Sequence, residues 1–348
     1  MPFITKDIKS INNAYQCDLL TFIENTEKAS MKTGEIYYIH KRKYLNLIFT
    51  FRLDGNKEFE SLTVRGSIHT FSNKGVHNAN ILTFKHFVKY LNKYVSLFGI
   101  NLYKCVLLPL EYGTNIFLNK FETIHKDYDI IDNIFCVKRI LFAPNRGVQT
   151  SLISGTSSTE VRIKVYSKSS QPNYYKYCKN TLRIEDKLTK IRGLNKKGIV
   201  FVSDLYDRKN HIMLLEKHLK NMSKIALFDY TIRVPKNSKY VKDIKELRHQ
   251  SNWKKIIKEC KNKDTYNTKY NEKIVLLNML SKKYGSNILQ KLIKYTENQS
   301  LKALGLCSFN EYKIMKLPKN AQLVKPKNAQ LYIGCNLCTA FYGKNTCW

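Results

Sequence analysis

Residues 44–71 read YLNLIFTFRLDGNKEFESLTVRGSIHTF, and this stretch sets the fold class. Tyr44–Phe51 is a run of aromatic and aliphatic residues suited to a strand. Asp54-Gly55 supplies a turn, and Phe59–Phe71 returns with rough alternation, so the segment predicts a β-hairpin. Downstream the period changes. Apolar residues recur at 84, 87, 88, 91, 95 and 98, Thr83 stands where an N-cap belongs, and Gly99 stops the pattern. Further strands are expected at Leu102–Pro109, Asn115–Phe117 and Ile134–Phe142. After a loop at Gly155-Thr156-Ser157-Ser158, Glu160–Tyr166 and Thr181–Leu188 read as two more. Together these predict an α+β protein, an antiparallel sheet core with helices packed on one face. The strand-rich pattern recurs in kind after Ser151, which leaves a duplicated unit open, although no long sequence repeat is present.

From about Asn210 the chain turns helical and basic, through HIMLLEKHLKNM, KYVKDIKELRHQSNWKKIIKECKN, NEKIVLLNMLSKKYG and KLIKYTENQSLKALGL. The bland reading is a packed bundle with solvated lysine faces. The sharper one is a helix-turn-helix around 273–306. The expected division is an α+β domain over 1–230, a basic helical region over 231–316 and a tail over 317–348. In the tail PKNAQL occurs at 318–323 and again at 326–331.

Lys and Arg number 60 against 27 Asp and Glu, a formal net charge of +33 over 348 residues. Such a surplus faces solvent and suits a polyanionic partner. The 23 Tyr and 17 Phe among the lysines offer stacking surfaces for bases, although an AT-rich genome would enrich Lys, Asn, Ile and Tyr by itself. No apolar run reaches the length of a membrane span, and the first residues, MPFITKDIKSINN, lack a signal-peptide core, so the expected location is the cytoplasm, with no membrane partner. Cys17, Cys105, Cys136, Cys178 and Cys260 are isolated and read as plain thiols of a reducing compartment.

Three segments carry candidate chemistry. Val64–Asn78 ends a strand in a Gly/Ser/Asn-rich loop bearing His69 and His77, although turn-stabilising polar groups would give the same composition. Glu111 lies beside a strand, where a solvent-facing carboxylate is the plainer reading. Lys164-Val165-Tyr166-Ser167-Lys168 ends another strand, and Arg183-Ile184-Glu185 follows in a third, with Arg183 and Glu185 on one face. A phenol, a carboxylate and two cations on adjoining strands form a phosphoryl-transfer set. The carboxylate can hold Mg²⁺ or Mn²⁺, the phenol attacks, and Lys168 and Arg183 offset charge on the phosphoryl oxygens. A salt-bridged strand pair would use the same residues.

In order and rough spacing, Gly66-Ser67, Phe71, Gly75, His77-Asn78, Glu111, Lys164, Tyr166, Lys168, Arg183 and Glu185 resemble the gene II-type replication initiators of filamentous phages and related plasmid rolling-circle initiators. The likeness covers about residues 44–230. Thr70 stands in place of a Lys, Val76 separates Gly75 from His77, and Glu111 replaces an Asp. Ser169-Ser170-Gln171 follow Lys168 where the family has an acid, and no His-hydrophobe-His motif is present. The resemblance implies binding of a phage or plasmid origin, with host replication proteins as further partners. It also implies metal-dependent nicking through a tyrosine, leaving a 5′-phosphotyrosine and a free 3′-OH. Glu111, Glu185 and His77 would hold the metal. Tyr166 is the first nucleophile by motif position, followed by Tyr174 and Tyr175 in the next loop. A non-catalytic nucleic-acid-binding protein and a transposase- or relaxase-like enzyme are the alternatives.

Cys335-Asn336-Leu337-Cys338 and Cys347 make three quarters of a tetrahedral zinc site. Cys307 completes it, the chain stops short inside a ribbon, or the thiols stay unligated.

Overall fold

A computed structural model describes residues 1–124, 126–137, 140–144, 151–154, 161–171, 174, 176–259 and 263–308. Residues 1–307 form one compact unit, and 308–348 are a second. Tyr175, Cys260, the PKNAQL pair and Cys335, Cys338 and Cys347 lie outside the described residues.

The protein is α+β, with two antiparallel sheets. The first contains β1 (Phe3–Thr5), β2 (Thr21–Ala29), β3 (Ile36–Tyr44), β4 (Leu47–Leu53), β5 (Phe59–Arg65) and β6 (Cys105–Leu107), in the order β2-β3-β4-β5-β1-β6. The 44–71 hairpin forms as β4 and β5, with Phe51 opposite Leu62 and Phe49 opposite Val64. Leu47, Phe49, Phe51 and Leu53 all point inward, as period-two alternation requires. The returning strand stops at Arg65 instead of running to Phe71. Ser67 caps a short helix α2 (Ile68–Ser72), after α1 (Ile8–Tyr15), by accepting from the Thr70 amide. Gly66 makes that corner at φ +153°, where a Cβ would lie 2.7 Å from the Asn46 carbonyl oxygen. The helix α3 (Phe84–Phe98) matches its sequence period. Phe87, Leu91, Tyr94 and Phe98 are buried, Thr83 caps one end, and Gly99 closes the other in the left-handed region.

The second sheet contains β7 (Glu111–Phe117), β8 (Ile134–Val137), β9 (Ile140–Pro144), β10 (Ser151–Ser154), β11 (Val161–Ser167), β12 (Thr181–Leu188) and β13 (Ile225–Leu227). Its order is β13-β8-β9-β10-β11-β12-β7, so β7 is an edge strand. The single strand expected over Ile134–Phe142 is two strands, paired through Cys136 with Leu141 and Val137 with Ile140. The basic C-terminal stretch is helical as expected, apart from β13. With α4 (Asp127–Ile131) and α5 (Arg192–Asn195) preceding it, it forms α6 (Arg208–Met222), α7 (Val241–Leu247), α8 (Gln250–Glu259), α9 (Lys263–Tyr284) and α10 (Ile288–Ala303). One core joins Ile116, Ile163, Val165, Leu182 and Ile184 of the sheet to Met222, Leu289 and Leu292 of these helices. Another joins Phe135, Cys136 and Ala226 to Leu247, Trp253 and Leu280. Apolar residues thus cover one face of the sheet, and the polar residues of β7, β11 and β12 take the other.

Candidate functional site

Register brings the candidate residues together. On β11 and β12, Tyr166 lies opposite Arg183 and Lys164 opposite Glu185. On β12 and β7, Arg183 lies opposite Asn115, Glu185 opposite Gly113 and Lys187 opposite Glu111. All seven residues with side chains share one face because the side-chain period of each strand is two.

Two connected networks result. Tyr166 donates its hydroxyl hydrogen to Glu185 Oε1 at 3.1 Å, and Arg183 Nε donates to the same oxygen at 2.5 Å. Arg183 also donates to Asn115 Oδ1 at 2.8 Å. Further along, Lys164 and Lys187 each place Nζ 2.9 Å from Glu111 Oε1. Burial alone would raise both carboxyls. Arg183 beside Glu185, and the hydrogen bonds of Lys164 and Lys187 to Glu111, outweigh it and hold both below the usual carboxylate range. Burial and the Glu185 charge push the Tyr166 phenol well up.

Gly113 makes this arrangement sterically feasible. A Cβ there would lie 2.2 Å from the Ile184 carbonyl oxygen and 2.9 Å from Glu185 Cγ, so only glycine lets Glu185 lie across β7. Asn115, almost fully buried, is a staple. Its Nδ2 donates to the carbonyls of Asn78, Ala79 and Asn80, tying the 66–80 segment onto the sheet. In that segment Asn80 Oδ1 meets His69 Nε2 at 2.7 Å and accepts from Asn73 Nδ2 at 2.9 Å. His69 is pulled down to about 4, mainly by burial and also by the charges of Arg183 and Lys168.

Lys168 lies buried just beyond the end of β11. Its Nζ donates to Gln171 Oε1 at 3.0 Å and stands 3.9 Å above the Tyr174 ring and 5.6 Å from that of Tyr166. Burial, then Arg183, lowers it to about 8. Tyr166, Tyr174, Lys168, Arg183 and Glu185 are therefore gathered around one point, to which His69 and Asn115 add themselves.

His77 lies elsewhere on the loop. Its ring packs on Tyr177 with centroids 4.0 Å apart, and its Nδ1 accepts from the Ala79 amide at 3.3 Å. Glu111, Glu185 and His77 do not form one ligand set, and among the described residues no group of three His, Cys, Asp or Glu is placed to hold a metal ion. The donor chemistry agrees, since the bonded oxygen of each carboxylate already carries two donors. Cys307 is exposed. Cys105, Cys136 and Cys178 are buried and Cys17 is half-buried, and burial raises Cys105 and Cys136 to about 12.

Sequence reasoning named His69 in its loop without giving it a role, and it passed over Asn115, Asp186 and His218. Asn115 had a usable signal, being two and four residues from Gly113 and Glu111 on one strand. Asp186 did not, because it points to the helical face of β12. There its Oδ1 lies 3.3 Å from His218 Nδ1, and its Oδ2 accepts from Asn221 Nδ2 at 2.7 Å.

The chain matches no known family model, and no curated protein is similar to it.

Proposed function

We propose that this protein is a DNA-binding strand-nicking protein of the rolling-circle initiator type, with Tyr166 as nucleophile. The observation that carries the reading is convergence. Residues 66–80, 111–115, 164–168 and 183–187 are far apart in sequence, yet they meet around Tyr166, Glu185, Arg183 and Lys168.

At rest the phenol is a poor nucleophile, because its acceptor is a carboxylate made weakly basic by Arg183. A phosphodiester entering beside Arg183 and Lys168 competes for the guanidinium. As Arg183 turns to the phosphoryl oxygens, Glu185 becomes more basic and takes the Tyr166 proton. The phenolate oxygen then bonds to phosphorus, the P–O3′ bond breaks, and the proton passes to the departing 3′-oxygen. The products are a 5′-phosphotyrosine and a free 3′-OH. Arg183 and Lys168 offset the extra charge on the phosphorane. No step is assigned to a metal, since Glu111 and Glu185 are occupied by cations.

The closed network also favours a second reading, a non-catalytic DNA-binding protein in which these ion pairs only brace the sheet. The protein is incubated with supercoiled DNA carrying its own flanking intergenic region, with and without Mn²⁺. Nicked circles with covalently attached protein, abolished by Tyr166→Phe and retained in Tyr174→Phe, are expected. Tight binding with intact supercoils in both conditions selects the second reading.

A further inference from the structure

Two tight turns abut at one edge of the 66–80 segment. β3 and β4 are joined by Leu45 and Asn46 alone, and the first position of such a turn favours glycine or asparagine because its φ is positive. Leu45 stands there at φ +52°, a region that a bulky side chain enters against steric resistance. The second turn is Lys74-Gly75-Val76, with Lys74 at φ +56° and Gly75 at φ +82°. The turns touch, since a Cβ on Gly75 would lie 2.9 Å from Leu45 Cβ. Burial does not account for the leucine. Leu45 is 40% exposed and Val76 is 53% exposed, so a strained turn presents an aliphatic tip to solvent.

Cations surround that tip. Lys43 and Lys74 stand beside the two turns, and on the sheet Ile48 lies opposite Lys43 on one side and Arg65 on the other, all exposed. Residues 36–53 and 61–110 hold ten Lys or Arg and no Asp or Glu. Glu24 and Glu60, on neighbouring strands, are paired with Lys41 and Arg52. An aliphatic tip ringed by cations, with no carboxylate in either turn, matches a polymer with phosphates outside and stacked apolar rings inside. Duplex DNA has that build, and aliphatic side chains inserted between its base steps unstack them.

We propose that Leu45 and Val76 form a wedge that enters between base pairs and parts the stack, while Lys43, Lys74 and Arg65 hold the flanking phosphates. The inference rests on the DNA reading above and adds strand opening to it. The wedge is fixed to the candidate site through one segment. Asn46 Nδ2 donates to the Ser67 carbonyl at 2.8 Å, and Asn115 Nδ2 holds the carbonyls of Asn78 and Asn80 at the other end. A strand parted at the tip is thus released along the segment that borders the Tyr166 network.

The test uses duplexes from the flanking intergenic region carrying 2-aminopurine, whose fluorescence rises on unstacking, at each position in turn. The full chain is added as Tyr166→Phe, so that no cleavage relaxes the stack. One step should brighten severalfold while its neighbours stay dark. Leu45→Asn with Val76→Ser should abolish that signal and keep most of the duplex affinity, which phosphate contacts supply. Asparagine accepts a positive φ, so the melting temperature should not fall; a marked fall would make Leu45 a packing residue and overturn the wedge. Lys43→Gln with Lys74→Gln should flatten the slope of log affinity against log salt by about 2, and an unchanged slope counts against the proposal. Tight, salt-sensitive binding with no bright step, or a bright step that survives Leu45→Asn with Val76→Ser, overturns the wedge and leaves the DNA reading standing. Failure to bind any duplex or single strand overturns both.

Discussion

Arg183→Met removes the guanidinium from the centre of the site and tests the physics of the whole network. Arg183 and Glu185 have side chains only 10% and 9% exposed, and Nε lies 2.5 Å from Oε1. Breaking a buried pair from one side leaves an uncompensated charge, at a cost of about 3–5 kcal/mol. Lys164 also lowers the Glu185 carboxyl, which places the loss at the lower end of that range. Glu185→Leu strands the guanidinium instead and should cost a similar amount. In the double variant no charge is stranded. What remains is Asn115 Oδ1 and the Tyr166 hydroxyl without a partner, at about 1–3 kcal/mol each. Against about 6 kcal/mol for the two single losses together, the double variant should lose about 2–6 kcal/mol, which centres the coupling on about 2 kcal/mol. Urea unfolding at neutral pH followed by circular dichroism measures all four corners of the cycle. The Arg183→Met defect should also shrink below about pH 5, as Glu185 without its partner becomes protonated. A single-variant loss under about 1 kcal/mol, or additive losses, refutes the reasoning.

Two further outcomes follow from the geometry. His69 is pulled from 6.5 to about 4 in the folded protein, so the unfolded chain takes up the proton first as pH falls. Its contribution is present above pH 6.5 and is lost between there and about 4, amounting to roughly 3 kcal/mol; His69→Asn should flatten that part of the stability–pH curve, and an unchanged curve would place the titration elsewhere. Gly113→Ala forces a Cβ into the backbone of β12, and β7 must separate from its partner. Overpacking of this kind costs about 1–3 kcal/mol, and hydrogen exchange should quicken in β7 before it does in β4 or β5; wild-type exchange in β7 would contradict the close approach.

Much of this was legible in one dimension. Alternation in β4 and β5 and the 3.6-residue period of α3 are local properties, and local sterics enforce them wherever the chain lies. The same period-two rule placed Arg183 and Glu185 on one face without knowledge of β7. Register was not legible. That Gly113 lies under Glu185 and Lys187 opposite Glu111 depends on how two segments more than sixty residues apart are aligned, and many alignments satisfy the same apolar pattern.

The sequence by itself therefore determined the α+β class, the basic character, most of the local elements and a short set of chemically capable residues. Only the tertiary structure decided which of them meet. It paired Glu111 with two lysines and Glu185 with Arg183 and Tyr166, left His77 against Tyr177, and brought in His69 and Asn115. A carboxylate's chemistry depends on what lies within a few ångströms of it, and that distance is set by strand register and burial, which no local pattern contains.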